Sequence, residues 1–108
     1  MPYIVTTTCF PSRNAKQVAD RYLAALKQHP PDESIGTALS PAVIATHEGN
    51  KSIQLFEVKP GKLEEAFFRA MKIMTIVREA EGLTYSVTVQ LNGDEAMTLA
   101  GAKPPDKF

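Results

Sequence analysis

Few side chains in this 108-residue sequence can move a proton or attack a carbon: two histidines, one cysteine and three tyrosines. His47 is the candidate for general acid–base catalysis, because an unperturbed imidazole titrates near neutrality. Glu48 stands beside it, but adjacent residues of an extended chain face opposite ways, so Glu48 need not orient the ring. The competing account of His47 is a solvated loop histidine. His29 precedes Pro30 at a predicted helix end, where an imidazolium suits the negative pole of the dipole, a structural role. Cys9 follows three threonines with no cation close by to activate it, and Arg13 lies beyond Pro11. That context reads as a buried, inert thiol. Tyr22 and Tyr85 fall on apolar faces and are expected in the core. Tyr3 carries a third phenol, which needs a partner wherever it is buried. Arg69 and Arg78 suit either a bound carboxylate or a solvated helix face. No Gly-rich phosphate loop, HExxH, GxSxG or CxxC occurs, so neither a metal nor a cofactor is expected.

A second set of residues could line a pocket rather than react. From Leu83 to Leu91 the chain alternates, with Tyr85, Val87, Val89 and Leu91 on one side and Thr84, Ser86, Thr88 and Gln90 on the other. Period two predicts an antiparallel strand with its apolar side on a core. A fully solvated second side would favour lysine and glutamate, yet here it is small, polar and uncharged. Such a wall suits a surface half covered by another subunit, or a cavity for a modest ligand. Threonine's preference for strands explains the same residues without a ligand. Thr6 and Thr8 join Thr84, Ser86, Thr88 and Gln90 as ligand-binding candidates, although the side they take depends on strand register.

These residues must be positioned by the elements around them, and the segment Glu57 to Gln90 organises the rest. Pro60-Gly61 is turn chemistry, Glu64 and Glu65 suit a first helical turn, and Gly82 is a left-handed helix cap. Between them Leu63, Phe67, Ala70, Met71, Met74 and Val77 form one apolar helical face, widened by Ala66, Ile73 and Ala80. Phe68 and Ile76 project from the polar side and predict a second packing surface. Earlier in the chain, Tyr3–Phe10 reads as a strand and Ala15–Gln28 as a helix capped by Ser12 or Asn14 and ended by Pro30-Pro31. Asp32 to Pro41 reads as a turn-rich crossover. Two short strands follow, Ala42–Thr46 and Ser52–Val58, around a hairpin loop at residues 47–51. Glu95 to Ala100 reads as a short helix or a small strand.

The order β-α-β-β-α-β predicts an α+β, ferredoxin-like domain over residues 1–102, with two helices on one face of a four-stranded antiparallel sheet. Residues 103–108 read as a flexible tail. Content of 44% apolar and 22% charged residues fits one ordinary globular domain. Twelve basic side chains balance twelve acidic ones, which argues against nucleic acid or an anionic membrane surface as partner. A lone cysteine excludes an internal disulfide, and no apolar run approaches the ~20 residues of a membrane span. The expected setting is the cytoplasm.

A resemblance joins these readings. The strand Phe56-Glu57-Val58, the helix start Gly61 to Ala66 and the pattern Glu81-Gly82-x-x-Tyr85 resemble small proteins of the dimeric α/β-barrel superfamily over about residues 2 to 100. The resemblance implies two ferredoxin-like domains paired through their sheets. It implies no reaction, since members include monooxygenases, isomerases and stress-related proteins, and no haem-binding or quinone-forming motif is matched. The expected function is thus a homodimer, or a higher homo-oligomer, that binds a small, largely uncharged organic molecule on its open sheet face. The first alternative is a cofactor-free monooxygenase or isomerase using His47 or a tyrosine. The second rests on Met1-Pro2, which resembles the opening of tautomerases and would make Pro2 the base, with Arg13 or Lys16 binding substrate. The third is an assembly module without a ligand, contacting its partner through Phe68 and Ile76.

Overall fold

A computed structural model describes all 108 residues. It is an α+β domain with an antiparallel sheet of five strands and three helices. Strands β1 (Tyr3–Phe10), β2 (Gly36–Ala38), β3 (Ala42–Thr46), β4 (Gly49–Val58) and β5 (Thr84–Gln90) alternate with α1 (Ala15–Gln28), α2 (Leu63–Val77) and α3 (Gly93–Leu99). The central strand β1 pairs with β4 on one side and β5 on the other. The far side of β4 is shared: β2 pairs with its last residues and β3 with its first.

The predicted crossover thus contains a strand that propensity does not reveal. β2 forms because Gly36 has no Cβ: a side chain there would meet the Glu57 carbonyl oxygen at 2.2 Å and the Phe56 ring at 2.4 Å. The hairpin between β3 and β4 is also tighter than expected, with only His47 and Glu48 outside the Thr46–Gly49 pair.

Helices α1 and α2 pack on each other and on one face of the sheet. Gly82 caps the turns that follow α2 with a φ of 75°, as its position predicts. Asn14 does not cap α1; its amide donates instead to the Glu81 carbonyl at 2.6 Å, tying the start of α1 to the end of that turn. The buried residues of α2 are Ala66, Ile73, Met74 and Val77, followed by Ala80, whereas Leu63 is exposed and Met71 half-buried. The inward face is therefore centred on the flank of Ala66, Ile73 and Ala80, turned by roughly 35° from the centre of the widened face that periodicity predicts, taking 100° per residue. Ile76 turns toward the core and Phe68 stays outside, 55% exposed.

The core lies in two clusters between helices and sheet. Phe10, Val18, Ala25, Ile73, Met74, Val77 and Ala80 form one; Ile4, Ile35, Val58 and Ala66 form the other. Beyond β5, α3 takes the helical option. Its capping box joins Asn92 and Glu95, and the Met1 amino group pairs with Glu95 at 3.0 Å. The last residues fold back, bringing the Phe108 ring against Gly93. No helix is long and apolar enough to cross a membrane.

Candidate functional site

On β1 the helix-facing side is apolar at both ends and polar in the middle, and on β4 it passes from apolar to polar, ending at Asn50. Along β1 it reads Ile4, Thr6, Thr8, Phe10; along β4 it reads Val58, Phe56, Gln54, Ser52. The register sets Thr6 opposite Gln54 and Thr8 opposite Ser52, two adjacent polar pairs between the two core clusters. An interior belt of this kind needs hydrogen-bonding partners, since burying unpaired hydroxyls and amides is costly. Helix α1 supplies one. Gln54 Nε2 donates to the Tyr22 phenol oxygen at 3.2 Å, with the phenol 3.4 Å from Gln54 Oε1. Above the rest of the belt the helices leave a cavity of about 500 Å³. That volume falls in the range of small-molecule sites. Its roof is apolar, with Val18 and Leu26 from α1 and Ala70, Ile73 and Met74 from α2.

Arg69 of α2 forms part of the wall. Its Nη2 donates to the His29 carbonyl at 3.1 Å, and the guanidinium lies 5.8 Å from the centre of the Phe56 ring. The Arg69 Nε is buried without a hydrogen-bond partner. Asp32, also on the wall, turns its carboxylate to the hydroxyl and backbone N–H of Ser34. Those two bonds hold its pKa below the ordinary carboxylate value, and the charges of Arg69 and Lys62 act in the same direction.

The structure divides the residues that sequence reasoning grouped together. Thr6 and Thr8 face the helices and line the cavity, Thr8 being buried. Thr84, Ser86, Thr88 and Gln90 lie on the opposite side, exposed. That opposite face also carries Lys51, Ile53, Leu55 and Glu57 of β4, cross-strand from Cys9, Thr7, Val5 and Tyr3. Cys9 is exposed, not buried: it lies near the end of β1 on the face away from the helices, where Val5, nearer the middle of the strand, is buried. His47 sits at the hairpin tip, its side chain 93% exposed and its Nε2 3.9 Å from Glu48 Oε1; it touches neither the cavity nor the sheet faces. Within one chain, Pro2 and Arg13 flank the two ends of β1, roughly 25 Å or more apart. Arg13 and Lys16 therefore do not adjoin Pro2. No three histidine, cysteine or acidic side chains converge on a metal-sized point.

Ser52 and Gln54 were not singled out by sequence, Tyr22 was expected only as a core residue, and Arg69 was weighed as a carboxylate binder or part of a solvated face without being joined to the threonines. A signal for two of them existed: Ser52 and Gln54 alternate with the same period as Phe56 and Val58, so β4 carries polar residues on its apolar side. The rotation of α2 decides between the two readings of Arg69 by bringing it to the edge of the inward face.

No protein-family model matches the chain, and no curated protein is similar to it in sequence. Among solved structures, a formyltetrahydrofolate deformylase from Pseudomonas putida is 21% identical over 82% of this chain, with a TM-score of 0.43. The chain spans 28% of that enzyme's length. The C-terminal domain of the MgtC protein from Mycobacterium tuberculosis is 15% identical over 85% of this chain and 92% of its own, with a TM-score of 0.41. At these values neither neighbour bears on what this chain binds.

Proposed function

We propose that this chain is a ferredoxin-like, small-molecule-binding domain whose ligand lies between helices and sheet rather than on the open sheet face. The observation that carries the reading is the pair of polar couples, Thr6 with Gln54 and Thr8 with Ser52, set beneath a cavity of about 500 Å³ with an apolar roof. Few convergent polar groups in a concave apolar site are the usual composition of a ligand pocket. A reaction in this cavity would use the Tyr22 phenol as its proton carrier, because His47 lies outside it. Native mass spectrometry of the purified protein tests the reading. A retained small molecule that leaves on denaturation, and is no longer held by Thr8→Leu, supports it; retention unaffected by Thr8→Leu overturns it.

We further propose that two copies pair through their open sheet faces. On β4 this face runs Lys51, Ile53, Leu55, Glu57, a cation and an anion at either end of an apolar centre. A two-fold axis between Ile53 and Leu55 sets the Lys51 of each copy against the Glu57 of the other, an isologous and self-complementary contact. The free, exposed thiol of Cys9 supports residence in the reducing cytoplasm.

A further inference from the structure

We infer that the ligand is an organic monocarboxylate with an apolar body, its charged end held by Arg69. The inference rests on reading the helix–sheet cavity as the ligand site. A guanidinium has five N–H donors in a fixed fork. Arg69 commits one of them to the His29 carbonyl, and none of the chain's ion pairs involves it. Its Nε is cut off from solvent and has no acceptor. The Phe56 ring beneath the guanidinium holds the plane of the fork at the cavity wall. Asp32 and Glu33 lie on the same wall, Asp32 with its Oδ1 turned to Ser34, and neither forms an ion pair with Arg69. The wall therefore keeps a guanidinium without an ion-pair partner beside an apolar space. A carboxylate pairs with the Nη end of the guanidinium through charge-assisted hydrogen bonds, which a neutral alcohol cannot match. An alkyl or aromatic body then fills the space under Leu26, Ile73 and Met74.

Decanoate and 1-decanol, matched in length and differing in charge, test the assignment by isothermal titration calorimetry at neutral pH. Wild-type protein should bind decanoate at least tenfold more tightly than 1-decanol, and Arg69→Met should erase that preference. Equal affinity for the two probes, or a preference that survives Arg69→Met, overturns the role of Arg69 while the cavity reading stands. Binding of neither probe overturns both readings. The ¹⁵N-labelled wild-type protein gives a check that does not depend on the variant folding. The Arg69 Nε–H resonance should move with decanoate and stay put with 1-decanol; a resonance that ignores decanoate overturns the assignment.

Discussion

Tyr22 on α1 and Gln54 on β4 are joined by two hydrogen-bonding contacts, 3.2 and 3.4 Å long, across the space that separates the helices from the sheet. They bind the first helix to the side of the sheet it otherwise leaves open. Removing the phenol oxygen in Tyr22→Phe should cost about 1 kcal/mol, the usual net worth of such a bond when its partner can still reach water. Urea unfolding of Tyr22→Phe, Gln54→Ala and the double variant will show it. The two single losses should sum to more than the double loss, as expected for residues in contact.

The turn of α2 makes a second prediction. Ile73 is 9% exposed and Leu63 is 39% exposed, the reverse of their ranking on the helical wheel. Ile73→Ala should therefore lose roughly 2–5 kcal/mol. Leu63→Ala should lose about 1 kcal/mol or less. Equal losses in chemical denaturation would restore the face that periodicity predicts.

Acid should release α3 before it unfolds the domain. The Glu95 pKa is lowered from its ordinary 4.5, first by the Asn92 backbone N–H and then by the amino terminus. A carboxylate depressed in the folded state stabilises it above the unfolded pKa, and the contribution disappears as pH falls through the folded value. Amide exchange followed by NMR should find α3 protected near pH 6 and progressively less so at pH values below 4.5. Glu95→Gln should abolish this pH dependence while leaving the protection of β1 intact.

Pairing through the sheet predicts different outcomes for two exposed hydrophobic residues. Ile53→Lys sets a charge at the centre of the proposed contact, and sedimentation velocity should show the protein moving toward monomer. Phe68→Glu, on the outer side of α2, should leave the association state as it is. The opposite pattern would assign the interface to the helices.

The order of the main elements was legible because turn chemistry and periodicity agree along the chain: Pro11, Pro30, Gly61 and Gly82 punctuate it where the structure does. β2 was not legible, since Gly36-Thr37-Ala38 has little strand propensity and forms only because glycine lets it approach β4. Cys9 was misjudged for a related reason. The β1 sequence is β-branched at each position from Ile4 to Thr8, so its two sides cannot be told apart until the partners' register is known. The candidate site suffered most. Its polar floor comes from two strands far apart in sequence, and its cation comes from a helix whose rotation tertiary packing decides. The individual residue types were visible, but their convergence was not.

The two outer edges of the sheet differ in what they offer to a foreign strand. Along the edge formed by β2 and β3 the exposed backbone is broken into runs of three and five residues, with Pro41 between them. A foreign strand finds no continuous ladder there, a common protection against runaway strand addition. The opposite edge, β5, is an uninterrupted seven residues. Strand addition thus has one good donor side and no matching acceptor side. The asymmetry of the edges denies a fibre its second attachment point.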